Sequence, residues 1–288
     1  MPSEHYTKSF YEGIRNGSVR SAEVIVPLVL DLVRPSSVVD VGCGDASWLA
    51  VFQRLGIEDV FGIDGDYVEP ELLQIPRDRF EAVDLSKPFN LPRTFDLAIS
   101  LEVAEHLPAD CAPVFVESLT RLAPAVLFSA AIPFQGGNHH VNEQWPDKWA
   151  ALFREHNYLP VDCIRKRVWE NAAVEWWYAQ NTLLFAHASL MESNMALKAE
   201  FEKTDTNQLR LVHPKNYVEA FIPVQPAPWG VRAASRLLIV CLRNAISRRF
   251  YSMARKETPA EVARNPLNFN ATLQDRQYAG LTKRSRRN

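Results

Sequence analysis

Short apolar runs alternate with segments of helical period along most of the chain. Residues 21–33 (SAEVIVPLVLDLV) place apolar side chains at helical spacing behind Ser21, and Pro35 stops the run. SVVDV (37–41) reads as a buried strand, SWLAVFQRL (47–55) as a helix and DVFGID (59–64) as a second strand. RFEAVDL (79–85) and TFDLAIS (94–100) read as two further strands. Residues 110–122 then form a helix with Asp110 as N-cap, 125–132 a fifth strand, and 146–156 a helix opened by Pro146. VDCIRKRVW (161–169) and NTLLFAHASL (181–190) suit a terminal antiparallel pair. This alternation predicts an α/β fold, a doubly wound and mostly parallel sheet covered on both faces. Past about residue 190 the pattern changes to a polar helix, a proline-bearing stretch (221–230) and a basic segment. The expected division is a domain over 1–195 and a helical, basic extension over 196–288.

At 47% hydrophobic and 23% charged residues, the composition excludes a mostly disordered chain. Cys43, Cys111, Cys163 and Cys241 lie far apart, which argues against a structural zinc site or a disulfide framework and for a reducing compartment. No apolar h-region follows the first residues, and the run Leu237–Leu242 is far shorter than the roughly 20 residues a bilayer span needs. A soluble, cytoplasmic protein is expected. The net charge of −2 conceals an asymmetry: from Val231 onward there are 13 Lys and Arg against 3 Asp and Glu, leaving 19 against 31 before it. In that basic segment Leu238, Cys241, Leu242, Ala245 and Ile246 follow helical spacing, with Arg243 at the edge. Such a helix docks onto the acidic body, contacts an anionic membrane surface, or is simply solvated.

The sharpest chemical signal is VVDVGCGDASWLA (38–50). A strand carrying Asp40 runs into a turn with Gly42 and Gly44, and a helix opens at Ser47. Glycines there let backbone approach a ligand, and a helix N-terminus favours an anionic group. Asp64 ends the next strand, placed to accept from ribose hydroxyls. A nicotinamide dinucleotide site is disfavoured, because Ser47 replaces the third glycine of G-x-G-x-x-G and no Tyr-x-x-x-Lys set is found. Asp40 is placed to accept from an ammonium group. Trp48, Leu49 and Phe52 read as packing residues.

With these residues the chain resembles the class I S-adenosylmethionine-dependent methyltransferases. VVDVGCGDASWLA matches their first motif, with Ala46 in place of its third glycine. FGIDGD (61–66), AVDLS (82–86) and FDLAISLEVAEHLP (95–108) resemble the segments that follow it. The resemblance implies a seven-stranded Rossmann-like sheet and S-adenosyl-L-methionine held by Asp40, Gly42, Gly44, Asp64, Asp84, Leu85 and Leu101. Asp84 would meet the adenine amine, and the Ala46 Cβ would need room beside the ligand.

A second constellation follows the fourth strand. If EVAEHL continues as a helix, Glu102, Glu105 and His106 share one face. Oxygen and nitrogen ligands of this kind suit Mg, Mn or Zn. The E-x-x-E-H pattern resembles that of ubiquinone-biosynthesis O-methyltransferases and of small-RNA 2′-O-methyltransferases, where a later His completes the metal set. Here His139 and His140 are available, His140 being preferred. The loop PFQGGNHHVNEQWPDKW, with Trp145 and Trp149, and the later Trp169, Trp176, Trp177 and Tyr178 offer faces for a sugar ring, although aromatic clusters are more often core. This combination is similar to methyltransferases of bacterial polysaccharide and glycan gene clusters. The reading that results is O-methylation of a sugar or other small polar hydroxyl acceptor, with His106 or His140 as base and Glu105 beside them. The alternatives are a metal-dependent RNA 2′-O-methyltransferase, which the acidic body disfavours, and a non-catalytic scaffold, which Asp40, Gly42, Gly44 and Asp64 argue against.

Overall fold

A computed structural model describes the backbone of residues 8–221 and the side chains of residues 15–218. In chain order the elements are α1 (Lys8–Val33), β1 (Ser37–Val41), α2 (Ser47–Arg54), β2 (Asp59–Asp64), β3 (Phe80–Ala82) and β4 (Leu97–Leu101). There follow α3 (Ala112–Leu122), β5 (Ala125–Ser129), α4 (Pro146–Glu155), β6 (Tyr158–Val161) and α5 (Arg165–Val168). The series ends with α6 (Trp176–Asn181), β7 (Leu183–His187), α7 (Ala188–Ser193), α8 (Met195–Glu202) and α9 (Pro214–Phe221).

The strands form one seven-stranded sheet in the order β3-β2-β1-β4-β5-β7-β6. The pairings β1–β2, β1–β4, β2–β3 and β4–β5 are parallel, whereas β7 runs antiparallel to both β5 and β6. Because strand side chains alternate, neighbouring residues enter opposite cores. Val38, Ile99 and Leu127 pack with Ile25 of α1 and Phe52 of α2. Val39, Ala98 and Phe128 pack with Phe115 of α3 and Phe153 of α4 on the other side. Burial on both faces explains why these strands read as continuous apolar runs. The order of crossovers reverses between β1 and β4, and the crevice at the carboxyl ends of those strands is where such sheets bind ligands.

Several expectations are corrected. The helix expected over 21–33 begins at Lys8, and the strand expected over 79–85 holds only Phe80–Ala82. Asp110 does not cap α3: it lies in a 3₁₀ turn (Ala109–Cys111), and Cys111 occupies the N-cap without a side-chain bond. Besides β5, the antiparallel partner of β7 is Tyr158–Val161, while Arg165–Val168 within VDCIRKRVW forms α5. Arg165 explains the break: fully buried, it pairs with Asp162 at 2.8 and 2.9 Å and donates to the Leu209 carbonyl at 2.7 Å. Leu197 and Leu209, past the expected boundary at 195, are buried in the two cores, so the folded body continues beyond it. The basic helix expected after Val231 lies outside the described residues. Among the described residues no helix is long and apolar enough to cross a membrane.

Candidate active site

The turn after β1 is built by sterics. Gly42 has φ +83°, and a Cβ there would meet Val103 at 2.4 Å, so only glycine fits. Its N–H donates to the Ile63 carbonyl at 2.8 Å, tying the turn to the end of β2. Gly44 also has a positive φ, and its N–H donates to Asp64 Oδ2 at 2.7 Å. The other Asp64 oxygen accepts from Gly65 N–H at 2.7 Å and from the Tyr67 hydroxyl at 2.5 Å. Three donors fix this carboxylate at the cavity wall and pull its pKa down, but burial outweighs them and holds it above the usual range. Asp40 is buried beside it; burial first, then the charges of Asp64 and Asp45, push its carboxyl well up. Arg15 of α1 pairs with Asp45 at 2.6 Å. Ala46 adopts φ 62° at the N-cap of α2, and its Cβ joins the core away from the cavity, so the methyl group intrudes on nothing there.

A cavity of about 520 Å³ runs from these aspartates to the end of β4. Asp40, Gly42, Gly44, Asp64 and Leu101 line it, as do Glu102, Glu105, His106 and His140. Asp84 and Leu85 do not. Asp84 is exposed and caps a turn, bonded to Ser86 and paired with Lys87 at 2.8 Å, which lowers its pKa to about 2. Leu85 is buried in the core. His139 is exposed and outside the lining.

The helical face expected for Glu102, Glu105 and His106 does not form. Glu102 takes φ 57°, and Ala104–His106 is a 3₁₀ turn. A left-handed non-glycine residue at a strand end is a strained position of the kind found at functional sites. Glu102 is diverted to a set of amide donors: Asn181 Nδ2 at 3.0 and 3.3 Å and Gln135 Nε2 at 3.1 Å. Glu105 is fully buried, its carboxyl against the Glu102 carboxyl and the Ala131 backbone and without a well-aligned hydrogen bond. Burial, reinforced by the charge of Glu102, pushes its pKa well up. His140 enters from the loop after β5. Its Nδ1 lies 3.1 Å from Glu143, whose carboxylate also accepts from the Phe134 and Gly136 backbone N–H groups. The loop is hooked onto the 3₁₀ turn by Val141 and Asn142 N–H groups donating to the Glu105 carbonyl at 2.8 and 3.0 Å. The rings of His106 and His140 meet edge-to-face at 4.9 Å. Burial, then His140, lowers the His106 pKa to about 4. Ligand atoms of Glu105, His106 and His140 all lie within 4.8 Å of one another, and Glu102 is not in this group.

Of the aromatic residues, Trp176, Trp177 and Tyr178 line the cavity. Trp149 is core, 5.2 Å from Phe128, and Trp145 lies under Arg210. Trp48, expected only to pack, also reaches the cavity and meets Tyr178 edge-to-face at 5.2 Å. Sequence alone did not single out Tyr67, Glu143 or Asn181; Glu143 and Asn181 lie in the polar stretches FQGGNHHVNEQ and WYAQN, but the Asn181 partner Glu102 is distant in sequence.

A family profile described as "Methyltransferase domain" matches residues 15–207, and the chain belongs to that family. With this sheet it is a class I S-adenosylmethionine-dependent methyltransferase. No curated protein matches the sequence. Among solved structures, magnesium protoporphyrin IX methyltransferase from Synechocystis PCC 6803 with bound SAH is 19% identical, covering 63% of this chain and 89% of that one, with TM-score 0.46. DesVI of Streptomyces venezuelae is 15% identical over 65% of this chain and 99% of that one, with TM-score 0.46. The methyltransferase domain of bacterial CtHen1 is 19% identical over 58% and 96%, with TM-score 0.41.

Proposed function

We propose that the protein methylates a hydroxyl group of a sugar or another small polar acceptor. The observation that carries the reading is the single cavity joining the Asp40–Asp64 cradle to the two imidazoles of His106 and His140. In this reading Asp64 receives the ribose hydroxyls and Asp40 the ammonium group of S-adenosylmethionine, with Gly42 and Gly44 leaving room for its backbone approach and Leu101 at its side. A buried carboxyl cluster favours a ligand that brings positive charge. Asp84 and Leu85 are given no contact. Bound there, the cofactor supplies an activated methyl group on a sulfonium sulfur.

The chain's own task is to align the acceptor oxygen and take its proton. His106 is neutral well below pH 7 and can accept that proton on a ring nitrogen. Glu143 fixes the orientation of His140 beside it. The buried Glu105 carboxyl with two imidazoles also fits a divalent metal, so Glu105, His106 and His140 would hold Mg, Mn or Zn, with Glu102 outside the set. Such an ion would acidify the acceptor hydroxyl.

Mass spectrometry of polyol, sugar and RNA acceptors incubated with labelled S-adenosylmethionine tests the proposal. Label on a sugar hydroxyl is expected; label confined to RNA ribose overturns it. Excess EDTA with elemental analysis decides the metal: full activity without detectable metal returns Glu105 and His106 to a metal-free role.

A further inference from the structure

The acceptor half of the cavity is lined by carboxyl groups that no Lys or Arg among the described residues answers. Five carboxyl groups and two imidazoles line the whole cavity, and among the described residues no Lys or Arg does. In the cofactor half, Arg15 answers Asp45. No described cation pairs with Glu102 or Glu105. Glu102 is held by the neutral amides of Asn181 and Gln135 and by the Ser129 side chain, with the His140 imidazole the nearest group that can carry positive charge, and Glu105 lies buried against the Glu102 carboxyl. A metal at Glu105, His106 and His140 would satisfy Glu105 and still leave Glu102 unanswered. Trp176 and Trp177, half-buried with ring centroids 5.5 Å apart, complete the wall. Carboxylate beside aromatic faces is the environment that holds an organic ammonium group. A phosphate or carboxylate entering the same space meets two carboxyl groups and, among the described residues, no Lys or Arg to pair with.

We propose that the acceptor carries a protonated amine near the hydroxyl that is methylated, as an amino sugar does, and that Glu102 receives that amine. The same charge excludes acceptors bearing phosphate or carboxylate. This rests on the sugar-hydroxyl reading above.

Tryptophan fluorescence tests it, because Trp48, Trp176 and Trp177 line the cavity. The full chain, saturated with S-adenosylhomocysteine at pH 7, is titrated with glucosamine, glucose, glucose 6-phosphate and glucuronate. Glucosamine is expected to bind at least about fivefold more tightly than glucose, and both anions more weakly than glucose. Glu102→Gln keeps the side-chain shape and should remove the glucosamine advantage. An advantage smaller than fivefold, or either anion binding better than glucose, overturns the amine assignment and leaves the sugar reading standing. Silence from all four probes overturns the amine assignment and the sugar branch of the reading above. The wild-type ranking decides the matter even if the variant fails to fold.

Discussion

Asp64 holds three donors of its own chain, so its position is set before any ligand arrives. Replacing it with alanine should weaken S-adenosylhomocysteine binding by about 1.5–3 kcal/mol, the range for a lost hydrogen bond to a charged group. Calorimetric titration measures it, and unchanged affinity removes Asp64 from the binding set. Asp40 gives a pH dependence. Its carboxyl is held well above the usual range, and a bound ammonium favours the ionised form. Binding should therefore release a proton, and affinity should rise with pH as Asp40 titrates. Calorimetry in two buffers of different ionisation enthalpy reads the proton count. His106 shifts the other way, from an ordinary 6.5 to about 4. Below 6.5 the unfolded chain gains a proton that the folded one refuses, so this residue's contribution to stability falls as pH drops from 6.5 towards 4. A proton-detected titration of the metal-free protein should place the His106 midpoint near 4; a midpoint near 6.5 contradicts the burial argument.

At the scale of elements, the turn between β1 and α2 leaves little freedom. Gly42→Ala puts a Cβ at positive φ and against Val103, a strain of about 1–3 kcal/mol. A lower melting temperature and weaker S-adenosylhomocysteine binding should appear together, because the same turn carries Gly44 to Asp64. The strand–turn–helix sequence was legible because glycine spacing and buried strands are local signals. The element after β4 was not. Helical period predicted one face for Glu102, Glu105 and His106, but the left-handed backbone at Glu102 turns its side chain towards Asn181, 79 residues away in sequence. Period cannot reveal a donor on another element.

For the whole molecule, the described residues past 195 (196–218) belong to the folded body. Gln180 accepts from His213 N–H at 2.8 Å and Asn216 Nδ2 at 3.0 Å, and itself donates to Gln135 and Asn181. The last residues described thus brace the amides that hold Glu102. A chain ending at residue 195 loses this brace and the buried Leu197 and Leu209, which at about 1.5–3 kcal/mol each removes a large share of ordinary domain stability. Urea unfolding should show it as markedly less stable than a chain ending at residue 221; equal midpoints would restore the boundary to 195.

The sequence by itself determined the central strands β1, β2, β4 and β5, because strands buried on both faces must be apolar runs, whereas the edge strand β6 was misplaced. It also determined the grouping of Asp40, Gly42, Gly44 and Asp64, which sit in two adjacent parallel strands and the turn between strand and helix. Tertiary structure alone decided which polar groups converge on the acceptor side. Glu102, Gln135, His140 and Asn181 come from four separate segments. Their meeting depends on the order in which strands pair and on one left-handed residue, neither of which leaves a periodic trace along the chain.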